Sequence, residues 1–155
     1  MEYKEKYEIF FKEQCDTYQQ ILCVITQLTK CDTQLAYYSD CETLDAEILR
    51  SVTRQKAQLV QELNHLTQSA ENAQDRILDI LYLYHEFGSH PFYLHMERLQ
   101  QAASIQLEKL LLKEDSNIPA ITNNLKAYKE KLETDIAIQK VPSEKRKVFF
   151  LYPTD

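Results

Sequence analysis

A single glycine, four prolines and no tryptophan occur among the 155 residues. Folds that turn on many left-handed residues, such as dinucleotide-binding sheets, phosphate-binding loops and β-sandwiches, need more glycine than Gly88 alone supplies. No apolar run approaches the roughly 20 residues that cross a bilayer; stretches such as Leu110-Leu111-Leu112 and Val148-Phe149-Phe150-Leu151-Tyr152 fall far short of it. The amino terminus, Met1-Glu2-Tyr3-Lys4-Glu5-Lys6, mixes charges and lacks the apolar centre and small-residue cleavage site of a secretory leader. The expectation is a cytoplasmic chain without a membrane span. Excess positive charge is lacking too: the net charge of −6 opposes a phosphate-binding face, so no nucleic-acid partner is expected.

Recognisable reaction chemistry is also missing. No serine, threonine or cysteine lies in a nucleophile elbow, and His85-Glu86 is not followed by the second histidine of a zinc-protease helix. Glu130 and Glu133 sit beside Lys126 and Lys129, where solvated ion pairs account for them. His85, His90 and His95 gather near Glu86 and Glu97, but they straddle the Gly88–Pro91 break and have no nearby cysteine, unlike a structural zinc site. Cys15, Cys23, Cys31 and Cys41 are spaced by 8, 8 and 10. At about 100° per residue, steps of eight rotate successive thiols by roughly 80°, so they spread around a helix instead of converging. Ordinary reduced thiols are expected. The chain reads as a non-enzyme with no catalytic residue, metal or cofactor.

What is present is helical periodicity. Tyr7, Phe11, Gln14, Tyr18, Ile21, Ile25, Leu28, Asp32 and Leu35 follow 3-4 spacing, apolar except for Gln14 and Asp32. This predicts a long helix ending near Tyr38, with capping signals in Ser39-Asp40-Cys41-Glu42 and at Thr43. Leu49, Val52, Lys56, Leu59, Leu63, Leu66, Ala70, Ala73, Ile77, Ile80, Tyr84 and Phe87 then hold a seven-residue pattern without a slip. A strict 3.5-residue period implies a left-handed supercoil, with the first helix as antiparallel partner and the second running from about 44 to 87, roughly 65 Å. Lys56 in that stripe is expected to snorkel its amine to water, with fixing of helix register as the alternative. Ala70 and Ala73 suit a close helix approach.

Gly88 occupies a left-handed C-cap position, and Ser89 or His90 before Pro91 starts a third helix bearing Phe92, Met96, Leu99, Ala103 and Leu110. After the polar break Lys113-Glu114-Asp115-Ser116-Asn117, a fourth helix places Ile118, Ile121, Leu125, Tyr128, Leu132 and Ile136 on one face until Pro142. The expected fold is all-α: an elongated antiparallel helical hairpin or bundle with two long helices and two shorter ones. Residues 1–140 form a single bundle domain and 141–155 a basic, aromatic tail carrying Lys145-Arg146-Lys147 and then Phe149 and Phe150. That tail either packs on the bundle or binds a partner. Residues 126–155 hold seven basic against five acidic side chains, leaving −8 for residues 1–125, an asymmetry that favours a charge-complementary protein contact near the tail.

The run Gln55-Lys56-Ala57-Gln58-Leu59-Val60-Gln61-Glu62-Leu63-Asn64-His65-Leu66 is similar to a Gln-Lys-x-x-Leu-(Ile/Val)-x-x-Leu-x-x-Leu stretch. Arg98-Leu99-Gln100 and Ser116-Asn117-Ile118-Pro119-Ala120-Ile121-Thr122-Asn123-Asn124 are similar to further stretches of the same proteins. The chain thus resembles the FlgN family of flagellar export chaperones over about residues 5–136. The resemblance implies a cytoplasmic chaperone that masks the carboxy-terminal helical segment of hook-associated flagellar proteins and delivers it to the type III export apparatus. The client groove is then expected on the face of Ile118, Ile121, Leu125, Tyr128, Leu132 and Ile136, helped by Phe149 and Phe150. An ordinary core helix shows the same face. The alternative is a non-enzymatic coiled-coil scaffold or self-assembling adaptor; a more distant one is a four-helix metalloprotein using His85, His90 and His95.

Overall fold

The computed structural model describes residues 2–39, 46–113 and 119–141. They form α1 (Glu2–Ser39), α2 (Ala46–Leu83), a short 3-10 helix (His85–Ser89), α3 (Pro91–Lys113) and α4 (Pro119–Lys140). Among the described residues there is no strand, and no helix is long and apolar enough to cross a membrane. The expected all-α bundle of two long and two shorter helices is what the chain adopts. At 1.5 Å per residue, the 38-residue α1 and α2 are each about 57 Å long.

α1 is the central helix, packed extensively against both α2 and α3; α4 lies mainly against α3 and touches α2 much less. α1 and α2 are antiparallel, as the contacts of Phe10 with Arg76 and of Asp32 with Lys56 show. α3 runs parallel to α1, since Phe11 meets Tyr93 and Tyr18 meets Gln100 at a constant offset of 82. α1 serves both neighbours by burying a widened stripe. All seven inner members of its 3-4 pattern from Phe11 to Asp32 are buried, and Phe10, Cys15, Val24 and Cys31 broaden it.

The buried stripe of α2 keeps Val52, Lys56, Leu59, Leu63, Ala70, Ile77 and Ile80 of the heptad pattern and adds Thr67, Gln74, Leu78 and Leu81. Val52, Lys56 and Leu59 are followed by Leu63, Thr67 and Ala70, then by Gln74, Leu78 and Leu81, an 11-residue repeat. Eleven residues over three turns is 3.67 per turn, close to the natural helix and on the opposite side of 3.6 from a left-handed coiled coil. Burial thus covers both the heptad positions and this 11-residue set, and the stripe is wider than a strict coiled-coil seam. Leu66 and Ala73 rotate to half-buried flanks, and polar Thr67 and Gln74 take their places. On α3 the expected Met96, Ala103 and Leu110 are buried, while Tyr93, Gln100 and Leu107 take the inner places next to Phe92, Leu99 and Gln106.

Lys56 does not snorkel. Its ammonium lies 2.7 Å from Asp32 Oδ1, with both side chains 5% exposed. The two polar residues that interrupt the apolar patterns of α1 and α2 thus meet as a buried pair. Such a pair is weak support for stability but strongly penalises any register that separates its members.

The α2–α3 connection also differs from expectation. α2 stops at Leu83, and Gly88 falls inside the 3-10 helix without a positive φ, so it is not a left-handed cap. The start of α3 agrees with its signals: His90 is extended, Pro91 takes the first helical position, and the Phe92 N–H donates to His90 Nδ1 at 3.1 Å. Nδ1 is then the acceptor, and Nε2–H donates to Glu8 Oε1 at 3.1 Å, tying α1 to the cap. Tyr3, Tyr7, Phe11, Tyr84, Phe87 and Tyr93 close this end with ring contacts, Tyr3 stacking on Tyr84 at 4.5 Å.

Two outcomes follow. A Cβ on Gly88 meets nothing within 4 Å, so Gly88→Ala should leave urea-unfolding stability within about 0.5 kcal/mol or raise it, where a left-handed cap would lose about 1 kcal/mol. Lys56→Met strands the Asp32 carboxylate and should cost about 3 kcal/mol, whereas Asp32→Leu combined with Lys56→Met should restore most of that loss in thermal melts.

Candidate functional site

The inward face of α4 holds four of the eight residues singled out for partner binding. Leu125, Leu132 and Ile136 are 3%, 1% and 8% exposed and belong to the core; Tyr128 is half-buried against it. In this state that face is covered by the bundle and is not an open groove. Ile136 also borders an outer cavity of about 340 Å³ between α3 and α4, with Gln101, Ser104, Ile105, Glu133 and Lys140. Ile118, Phe149 and Phe150 lie outside the described residues, and so does the side chain of Ile121.

Sequence periodicity missed what lies between these apolar residues. Gln14 and Tyr18 of α1, Gln74 of α2, Gln100 of α3, and Asp135 and Gln139 of α4 are all buried, so every helix contributes polar groups to the interior. Gln100 Nε2 donates to the Tyr18 hydroxyl oxygen at 3.1 Å and to Gln139 Oε1 at 3.1 Å, and Gln139 Nε2 donates back to Gln100 Oε1 at 2.8 Å. This reciprocal amide pair fixes α4 on α3, because sliding by one turn would leave two buried amides unpaired. Tyr18 lies in the same network; burial, the largest cause, pushes its hydroxyl pKa up to about 12. The only hints in the sequence are Gln100 and Gln139 at helix positions that an apolar pattern passes over.

Not every polar group in this interior is satisfied. Among the described residues, both side-chain polar atoms of Gln74 and the Tyr128 hydroxyl are enclosed and have no hydrogen-bond partner. A buried donor or acceptor left unpaired costs about 1–3 kcal/mol. Burial drives the Tyr128 hydroxyl pKa well above its ordinary value, and the nearby Asp135 and Glu71 charges add to this. Asp135 is itself raised, first by burial and then by Glu71 and Asp75; Lys131, 3.7 Å away, opposes the shift. Beside these groups, a cavity of about 360 Å³ opens between α2 and α4. Asn64, Thr67, Gln68, Glu71, Asn124, Ala127, Tyr128 and Lys131 line it. The seam between α2 and α4 is therefore loosely packed, polar and acidic.

The remaining candidates are dispersed. His85 and His95 are exposed, His90 is occupied by Glu8 and the α3 cap, and no group of three or more His, Cys, Asp or Glu among the described residues could hold a metal ion. Cys15, Cys23 and Cys31 are free thiols. Cys15 is raised to about 11 by burial and then by Asp16, which disfavours the reactive thiolate. No protein-family model, curated protein or solved structure matches the chain.

Because the folded Asp135 pKa lies above its ordinary value of 3.8, its ionisation opposes folding. The Asp135 contribution to stability is then most favourable below 3.8, falls as pH rises through the interval up to the raised value, and stays reduced at neutral pH. Asp135→Asn should accordingly raise the melting temperature at pH 7, with the gain vanishing towards pH 3 in thermal melts.

Proposed function

We propose that this chain is a non-enzymatic helix-capturing protein of the export-chaperone kind. It masks the carboxy-terminal helical segment of hook-associated flagellar proteins in the cytoplasm before type III export. The observation that carries the reading is the state of α4. This helix buries Leu125, Leu132 and Ile136, yet it is held chiefly by α3, makes little contact with α2, and encloses a hydroxyl without a partner. A helix bound through one good interface and one poor interface is the element that exchanges most readily with a similar helix.

In this scheme α1, α2 and α3 form a fixed frame and α4 is its resident fourth helix. A client segment with apolar residues at 3-4 spacing enters the α2–α4 seam and covers apolar surface on the frame, while α4 moves outward. Leu125, Tyr128, Leu132 and Ile136 then close the groove in the empty protein, and Ile118, Ile121, Phe149 and Phe150 are further candidate contacts for the captured helix. The resemblance over residues 5–136 names the client class.

A self-assembling scaffold is the second reading. It is favoured by Tyr37, Ile48 and Leu112, which are exposed towards the end of the bundle where α1 leaves and α2 enters; Leu112 is 83% exposed. Amide hydrogen exchange with and without the carboxy-terminal helical segment of a hook-associated protein separates the two. Chaperone action predicts binding with faster exchange over 122–139 and unchanged protection in α1. No binding, together with concentration-dependent self-association in sedimentation, would establish the scaffold.

A further inference from the structure

A cavity of about 400 Å³ opens at the end of the bundle where α4 stops, between the carboxyl end of α2, the 3-10 helix, the first turns of α3 and the last residues of α4. Leu81, Tyr93, Leu94 and Val141 give it apolar walls, and Gly88 adds a stretch of bare backbone. Glu97 also lines it and accepts a hydrogen bond from the Tyr93 hydroxyl at 2.8 Å. α2 brings its carbonyl end, the negative end of the helix dipole, to this cavity, and its last turn carries no basic side chain. Glu86 follows in the first turn of the 3-10 helix. Among the described residues, Lys140 is the one lysine or arginine in the lining.

Residues 142–155, outside the described residues, continue from Val141 and so start at the cavity wall. They carry Lys145-Arg146-Lys147 and then Val148-Phe149-Phe150-Leu151-Tyr152. Phe149 comes eight residues after Val141, a reach of up to about 28 Å when extended, ample for a return to a cavity that Val141 itself lines. So short a tether holds the segment there at roughly millimolar effective concentration, and contacts too weak to retain a free peptide become sufficient.

We infer that this tail is the occupant of the cavity: Lys145-Arg146-Lys147 crosses the carbonyl end of α2, and one ring of the Phe149-Phe150 pair enters against Leu81, Tyr93 and Leu94. The cations answer the helix dipole and the carboxylates of Glu86 and Glu97; the ring answers the apolar walls. One ring enters and the other stays out, because consecutive side chains of an extended segment point to opposite sides. The docked tail straps the end of α4 to α2, a helix that α4 itself touches little. This goes beyond the client reading and does not depend on it. The two meet at Phe149 and Phe150, since a captured helix that contacts the docked ring must first draw it out.

The test uses the whole chain with no client present, followed by methyl and aromatic NMR. The Leu81 and Leu94 methyl groups should give cross-peaks to a tail phenylalanine ring, and these should be lost in one of Phe149→Ala and Phe150→Ala and kept in the other. Gly88→Leu, at a position where a Cβ meets nothing within 4 Å, should crowd the cavity from its opposite wall and expel the ring without altering the tail. Lys145→Glu combined with Arg146→Glu and Lys147→Glu should weaken the cross-peaks and speed amide exchange over 136–141 about tenfold, with raised salt acting in the same direction. Cross-peaks and exchange rates should be unchanged on dilution. Leu81 and Leu94 signals indifferent to both phenylalanine variants in chains that melt like the parent would overturn the docked tail. Cross-peaks that fade on dilution would overturn docking within one chain and give the cavity to the tail of a second copy. A charge-reversed tail that stays docked would overturn the role of the basic cluster.

Discussion

The widened apolar stripe of α1 is the constraint on which the bundle rests. One helix has to present buried side chains to two neighbours at once, and it does so by adding Phe10, Cys15, Val24 and Cys31 to a stripe running from Phe11 to Asp32. That width makes α1 the common wall of the α1–α2 hairpin and the α1–α3 pair, and it places α3 parallel to α1 at a fixed offset. The aromatic cluster around Tyr84 and Phe87 secures one end, and the Asp32–Lys56 pair sets the register nearer the other. The three-helix frame is therefore specified by apolar area along its length and by a single buried charge pair that tolerates no slip.

α4 is specified differently. It gains apolar contact from Leu125, Leu132 and Ile136, but its alignment is set by the amide exchange between Gln100 and Gln139, in which each side chain both donates and accepts. Polar pairing of this kind discriminates strongly between registers and adds only modest net stability. Across the other seam, α2 offers carboxylates and amides where a tightly packed core would offer leucine. The same helix is thus firmly aligned on one side and poorly compensated on the other.

The polar interruptions of the helical patterns carry the most specific information. Gln14, Asp32 and Lys56 stood out as exceptions to otherwise apolar runs, and all three are buried. Lys56 and Asp32 proved to be partners across two helices, a relation that no spacing within either helix could reveal. Thr67 and Gln74 were passed over because a strict heptad points to Leu66 and Ala73. A straight helix drifts by about 20° per heptad, so over a helix this long burial spreads from the heptad positions, where Ile77 and Ile80 stay inside, to the neighbouring Thr67, Gln74, Leu78 and Leu81. Gly88 was misassigned for a related reason: a glycine near a helix end is more often left-handed than not, but here a 3-10 turn completes the reversal with ordinary φ values.

The sequence by itself determined that the chain is helical, how many helices it forms, nearly where each begins and ends, and which residues of α1 face inward. Those properties follow from local rules, namely period, capping residues, proline placement and the scarcity of glycine. Only the tertiary structure decided that α4 closes over its own apolar face, that Gln100 and Gln139 exchange hydrogen bonds, and that Asp32 and Lys56 pair across α1 and α2. Each of these depends on the rotation and register of one helix against another. A few kilocalories of burial and pairing between distant residues settle that choice, and the local pattern is the same for a core helix and a docking face.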